Sequence, residues 1–174
     1  FPTRRSSDLM FCCKRFLNVK RSTSNHVVRG ECGRYPMYIF TYKRVVTYWC
    51  KICKMPDSRF VKKCYNMLLL ECDNGKTNWA SKVKHILFSL GFGYIWEQQT
   101  VCNTDKFLSE FIFRLKVSYE QEWHSTLVNS SKFSSYAGFK TLFGAEIYTK
   151  EITIGKFRFA LAKFRCFSQI GRAH

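Results

Sequence analysis

The sequence predicts an all-α protein, an irregular bundle of five to seven helices. Three observations carry that reading. Apolar residues recur every three or four positions in one window after another, which is the spacing of a single helical face. Helix-starting and helix-stopping residues punctuate those windows. Strand-like alternation is confined to one short stretch near the C-terminus, and no repeat period is found along the chain.

The first window, Met10 to Asn25, places Phe11, Phe16, Leu17 and Val19 among Lys14, Arg15, Lys20 and Arg21. It reads as a helix followed by the polar run Ser22-Thr23-Ser24-Asn25. Gly30 and Gly33 then bracket an expected turn. Pro36 stands where a first helical turn tolerates proline, and behind it Ile39, Tyr42, Val46, Trp49 and Cys53 mark one face. Pro56 ends that helix, and Asp57 or Ser58 is the expected cap of the next. The stripe of that next helix is Phe60 or Val61, Cys64, Leu68 and Cys72.

Asp73-Asn74-Gly75-Lys76 is a turn. Asn78 caps a helix bearing Trp79, Val83, Ile86, Leu87 and Leu90, which Gly91 terminates in the left-handed conformation. The stretch Gly91 to Trp96 is a packed connector or a short further helix. Asn103 or Thr104 opens the longest window, with Leu108, Phe111, Ile112, Leu115, Tyr119 and Trp123 as its stripe. Ser130 and Ser131 precede a shorter segment with Phe133, Tyr136, Phe139 and Phe143, closed by Gly144. The last segment alternates at Ile152, Ile154, Phe157, Phe159 and Leu161, yet Ile154, Phe157, Leu161 and Phe164 also fit a helix. Ala160 and Ala162 favour the helix.

The 174 residues suit one domain, a size that buries roughly two-thirds of its unfolded surface. Aromatic residues make up 17% and charged residues 24%, too apolar a balance for a disordered tail. No apolar run approaches the roughly 18 to 20 residues of a membrane-spanning helix. Lys and Arg number 29 against 12 Asp and Glu, a net charge of +17. A strongly basic chain points to a polyanion as partner and not to a membrane interior.

The two ends read differently from the rest. Phe1 to Leu9 can be encoded by a DNA strand containing CTCTTCCGATCT, and Gln169 to His174 by one containing AGATCGGAAGAG. These are reverse complements of each other and look like sequencing-adapter DNA translated in frame. A basic arm or an Arg- and Ser-rich transit peptide at the N-terminus is the competing reading. The expected organisation is therefore an adapter-like stretch over 1–9, a helical region over 10–168, and a second adapter-like stretch over 169–174. Leaving out the ends removes Arg4, Arg5, Arg172 and Asp8 and takes the charge from +17 to +15.

Catalytic and metal motifs are sparse. Of nine cysteines, only Cys50 and Cys53 form a CxxC, and they lie inside an expected helix; a zinc site takes its ligand pairs from turns. Buried free cysteine behaves as a small hydrophobe. The odd count and the lack of a signal peptide point to a reducing compartment, hence an intracellular location, nuclear or cytoplasmic. His26, His85, His124 and His174 have no nucleophile or carboxylate partner in a recognised pattern. Glu120, Glu122 and His124 are spaced by two, which puts them on different helical faces. Gly91-x-Gly93 lacks the third glycine and the strand of a nucleotide loop. Asp57, Asp73 and Asp105 are isolated. The expectation is no catalytic residue, no metal ligand and no cofactor.

The basic residues are the informative class. Lys43 and Arg44, Lys51 and Lys54, Lys62 and Lys63, Lys82 and Lys84, Arg114 and Lys116, Lys156 and Arg158, and Lys163 and Arg165 recur on almost every expected helix. Each phosphate they neutralise releases counterions and gives salt-sensitive, sequence-independent affinity. These are the candidate nucleic-acid-binding residues. Trp49, Trp79, Trp96 and Trp123 could stack on bases, but their helical spacing assigns them to the core.

Several stretches carry a family resemblance: Cys13-Lys14-Arg15-Phe16-Leu17-Asn18-Val19, then Gly30-Glu31-Cys32-Gly33-Arg34-Tyr35-Pro36, then Lys43-Arg44-Val45-Val46-Thr47-Tyr48-Trp49. Trp79-Ala80, Leu90-Gly91-Phe92-Gly93-Tyr94-Ile95-Trp96 and Lys163-Phe164-Arg165-Cys166 follow in order. Over about Phe11 to Ser168 the chain resembles the C-terminal part of non-LTR (LINE-type) retrotransposon reverse transcriptases. The resemblance implies a fragment of an RNA-directed DNA polymerase with an endonuclease, lying after the polymerase core, in thumb-and-beyond helices that hold template and primer. It implies RNA or an RNA–DNA hybrid, and the missing polymerase core, as partners. The polymerase's Tyr/Phe-x-Asp-Asp turn and the endonuclease's acidic and histidine set have no counterpart here. The family's Cys/His knuckle lies downstream of the Phe-Arg-Cys landmark, where this chain carries the second adapter-like stretch. The competing classes are a structural or protein-interaction helical domain, and a zinc module in which four of Cys50, Cys53, Cys64, Cys72 and a histidine converge tetrahedrally.

Overall fold

The structure, a computed structural model, describes residues 4–166, with side chains from residue 8 onward. The described residues are all-α, with ten α-helices, one 3-10 turn and no strand. Six helices have 11 residues or more, in line with the expected number. They are α1 (Arg4–Leu17), α3 (Met37–Cys53), α4 (Phe60–Asp73), α5 (Trp79–Ser89), α7 (Thr104–Asn129) and α10 (Gly155–Arg165). Four shorter ones raise the count beyond seven: α2 (Asn25–Cys32), α6 (Gly93–Gln98), α8 (Ser134–Ala137) and α9 (Ile147–Glu151). The described residues fall into two compact units, residues 37–117 and, in the other, those up to 36 together with those from 118 on.

In the unit of residues 37–117, α3 to α6 and the first half of α7 pack an aromatic core. Asn78 and Ser81 form the capping box that starts α5, and Gly91, at φ 77°, turns the chain out of it while Phe92 N–H returns to Leu87 O at 2.8 Å. Trp49 and Trp96 stack at 5.9 Å between ring centres, 19° from parallel. Their polar atoms are satisfied in sequence. Trp49 Nε1–H donates to Tyr65 Oη at 2.7 Å, Tyr65 O–H donates to Gln99 Oε1 at 2.7 Å, and Gln99 Nε2–H donates to Trp96 O at 2.6 Å. Burial pushes the Tyr65 hydroxyl well above its ordinary pKa, so it stays protonated and donates. The expected cap of α4 at Asp57 or Ser58 is replaced by Arg59, which makes no side-chain cap bond. Only Tyr65 of α4 is fully buried.

The other unit holds α1, α2, the second half of α7, the turn Ser131–Phe133 and α8 to α10, and side chains of α8, α9 and α10 converge on Glu31 of α2. α1 begins at Arg4, inside the stretch read as adapter, and Leu9 packs against the cluster of Met10, Cys13, Leu17, Val28, Tyr148 and Ala162. Once a helix is nucleated, propagation adds one bond per residue fixed, so α1 continues back through Asp8, Ser7, Ser6 and Arg5 to Arg4. Phe1 to Thr3 and the tail 169–174 lie outside the described residues.

The expected turn at Gly30 to Gly33 is instead the last turn of α2. Ser24 caps it, and Gly33 at φ 59° ends it. Gly30 lies within the helix because Trp123 needs its space: a Cβ there would sit 2.6 Å from the indole and 2.8 Å from the Tyr136 hydroxyl. Trp123 Nε1–H donates to His26 O at 2.9 Å, which fixes the ring against α2. The segment from Phe133 ends as a helix at Ala137, earlier than expected. The ambiguous last segment is helical, and Ala162, fully buried, lets α10 approach α1 closely. Gly30→Ala is expected to lower stability by about 1–3 kcal/mol through overpacking. Urea unfolding measures this, and an unchanged midpoint would contradict the packing described.

Candidate nucleic-acid interface

Helical phase decides which cations reach solvent. On α3 the buried residues are Ile39, Val46, Trp49, Cys50 and Ile52. Opposite them, Lys43, Thr47 and Lys51 follow one another at intervals of four, with Lys54 just past the helix end. Arg44 and Tyr48 run alongside. Lys43, Arg44, Lys51 and Lys54 are exposed, as are Phe40 and Tyr48. The result is one basic stripe carrying two aromatic rings.

Elsewhere the candidates are less uniform. Lys63 and Lys82 are exposed, whereas Lys62 and Lys84 are half-buried with their ammonium groups 5.5 Å and 6.0 Å from the Tyr65 and Phe88 rings. Among the described residues no carboxylate pairs with these four or with the α3 cations. Arg114 is committed within its own unit: it pairs with Glu110 at 2.6 Å, donates to Leu90 O and stands 4.4 Å from the Phe92 ring. Lys116 is half-buried on the same helix.

α10 splits its four cations. Lys156 and Lys163 share one side, and Arg158 and Arg165, also seven apart, share another with the buried Ala162. Arg165, one of the candidates, has its guanidinium engaged internally: it binds Glu31 through two bonds, at 2.9 and 3.1 Å, and Glu146 at 3.1 Å. Glu31 is fully buried. Tyr148 and Tyr136 donate to its two oxygens at 2.6 and 2.8 Å, and burial with the facing carboxylate drives both hydroxyls far above their ordinary pKa. Lys140, itself buried, pairs with Glu146. A buried carboxylate needs such partners, and Arg165 is the one cation able to meet it bidentately.

The tryptophans occupy the core, Trp49, Trp96 and Trp123 being buried and Trp79 half-buried. Cys50 and Cys53 lie along α3, and burial pushes their thiols up to about 12 and about 11. No group of three His, Cys, Asp or Glu among the described residues is placed to hold a metal. A thiol contact outside the sequence reading joins α1 to α2. Hydrogen bonding to Cys32, helped by Arg34 and Arg29, holds the Cys13 thiol down to about 7 despite burial. Three cations outside the candidate set, Lys14, Arg15 and Arg21, gather around the end of α1. Their signal was visible as a basic run interleaved with phenylalanines.

Set against known protein families, characterised proteins and solved structures, the chain matches none.

Arg165→Gln is expected to cost about 3–5 kcal/mol, because it leaves a buried carboxylate short of its countercharge. Lys43→Gln with Lys51→Gln, on the exposed stripe, is expected to change stability by less than about 1 kcal/mol. Urea unfolding of the two variants side by side separates the structural cation from the surface ones; equal effects would contradict the assignment.

Proposed function

We propose that the chain is a non-catalytic nucleic-acid-binding segment of a non-LTR retrotransposon reverse transcriptase, lying after the polymerase core and holding RNA or an RNA–DNA duplex by charge. The observation that carries the reading is the α3 stripe: Lys43, Arg44, Lys51 and Lys54 stand exposed with no carboxylate partner among the described residues. The net charge of +17 supplies the wider field. The ordered landmarks from Cys13 to Cys166 support the family part of the proposal, and they imply the polymerase core as a partner and an intracellular site, nuclear or cytoplasmic. No helix among the described residues is long and apolar enough to cross a membrane.

A structural or protein-interaction role is the second reading, and α4 favours it. Phe60, Met67 and Leu70 are each about two-thirds exposed or more along one side of that helix, beside the half-buried Cys64, Leu68 and Cys72 of the expected stripe. A face of this kind suits contact with another protein surface.

Titration of a single-stranded RNA of about 20 nucleotides against the full chain at several salt concentrations tests the proposal. Four phosphate contacts give a log–log slope near about −3 on single strands. Lys43→Gln with Lys51→Gln is expected to make that slope shallower by about 1.4. Absence of binding at low salt would overturn the nucleic-acid reading in favour of the protein-interaction one.

A further inference from the structure

Around the C-terminal end of α1 lies a cavity of about 460 Å³, within the about 300–1,000 Å³ common to small-ligand sites. Lys14, Arg15 and Arg21 supply its charge, Phe11 and Phe159 its aromatic lining, and Asn18 and Val19 complete it; no acidic residue lines it. Local structure explains why these residues meet. α1 stops at Leu17, Asn18 adopts a left-handed φ of 52°, and Val19 N–H returns to Lys14 O at 3.0 Å. Lys14 Nζ then donates to Arg21 O at 2.8 Å and folds the following turn back onto the helix. A non-glycine residue held left-handed is uncommon and persists where its surroundings fix it.

The charge arrangement is unbalanced. The Arg15 and Arg21 guanidinium carbons stand 5.9 and 4.9 Å from the centre of the same Phe11 ring, and neither pairs with a carboxylate among the described residues. The helix end contributes roughly half a negative charge, which three cations exceed. An anion at this end of the helix would balance the excess positive charge, and the fork geometry of arginine matches a phosphate. Behind the lining, Arg158 lies 5.3 Å from the Phe159 ring and 4.6 Å from the Phe16 ring, and its buried Nε has no hydrogen-bond partner.

We propose that this cavity binds one nucleotide of a single strand, with the phosphate on Arg15, Arg21 and Lys14 and the base on Phe159. The proposal rests on the nucleic-acid reading and gives it a second, separate contact point. It assigns residues that the helix-by-helix count of candidate cations left out. Phosphate alone would need only the cations; the aromatic wall is what makes a nucleotide the fitting ligand.

Amide shifts of the isotopically labelled full chain, titrated separately with AMP and with inorganic phosphate, test it. AMP is expected to shift the amides of residues 11–21 and of those around Phe159, and to bind about tenfold tighter than phosphate, the scale of one base–aromatic stack. Arg15→Gln with Arg21→Gln should abolish both titrations. Phe159→Leu should weaken AMP to the level of phosphate, and Lys43→Gln with Lys51→Gln, on α3, should leave AMP binding unchanged. No AMP shifts in these residues, or phosphate binding as tightly as AMP, would overturn the nucleotide site. RNA binding with a silent cavity overturns the site and leaves the general function standing. AMP in the cavity without RNA binding at low salt supports the site and overturns the general function.

Discussion

Glu31 is held at zero exposure by Tyr136, Tyr148 and a bidentate Arg165. Around it α2, α8, α9 and α10 are fixed to one another, and Glu146, whose amide bonds Glu31 O at 3.0 Å, brings Lys140 into the same network. A lone buried carboxylate would be costly, so these four contacts are a condition of the unit's fold. The network is itself neutral, Glu31 and Glu146 being matched by Arg165 and Lys140. The net charge of +17 is therefore carried outside it.

The other unit solves its polar problem without charge. Trp49, Tyr65, Gln99 and Trp96 pass hydrogen bonds along a chain of neutral groups. Because no cation is needed inside, Lys43, Arg44 and Lys51 are left on the outer side of α3 while the apolar side of the same helix holds the core. Position on the helix, set by burial of Val46 and Trp49, is thus what lines up the basic stripe. The cavity at the end of α1 arises differently, from a left-handed Asn18 and a lysine that ties the next turn down.

Local features of the fold were legible in the sequence. The capping box at Asn78, the left-handed Gly91 and the cap at Asn103 all rest on contacts within a few residues. Long-range packing was not legible in the same way. Gly30 reads as a turn residue until Trp123, far along the chain, is seen to occupy the space a side chain would take. Arg165 reads as one more surface cation because Glu31 lies 134 residues away. The exposed α3 cations were legible because amphipathic phase alone determines them. On α4 the same rule holds only in part: Cys64, Leu68 and Cys72 of the expected stripe are half-buried, while Phe60 at its start is exposed.

The claim at the centre is spatial: a polyanion meets this chain on α3 and at the end of α1, and not wherever a lysine happens to lie. Photocrosslinking of 4-thiouridine-substituted RNA to the full chain, followed by peptide mapping, addresses it most directly. Crosslinks concentrated in residues 40–54 and 11–21 are the predicted result. Crosslinks spread evenly over the lysine-bearing peptides, or confined to segments outside those two, would contradict it.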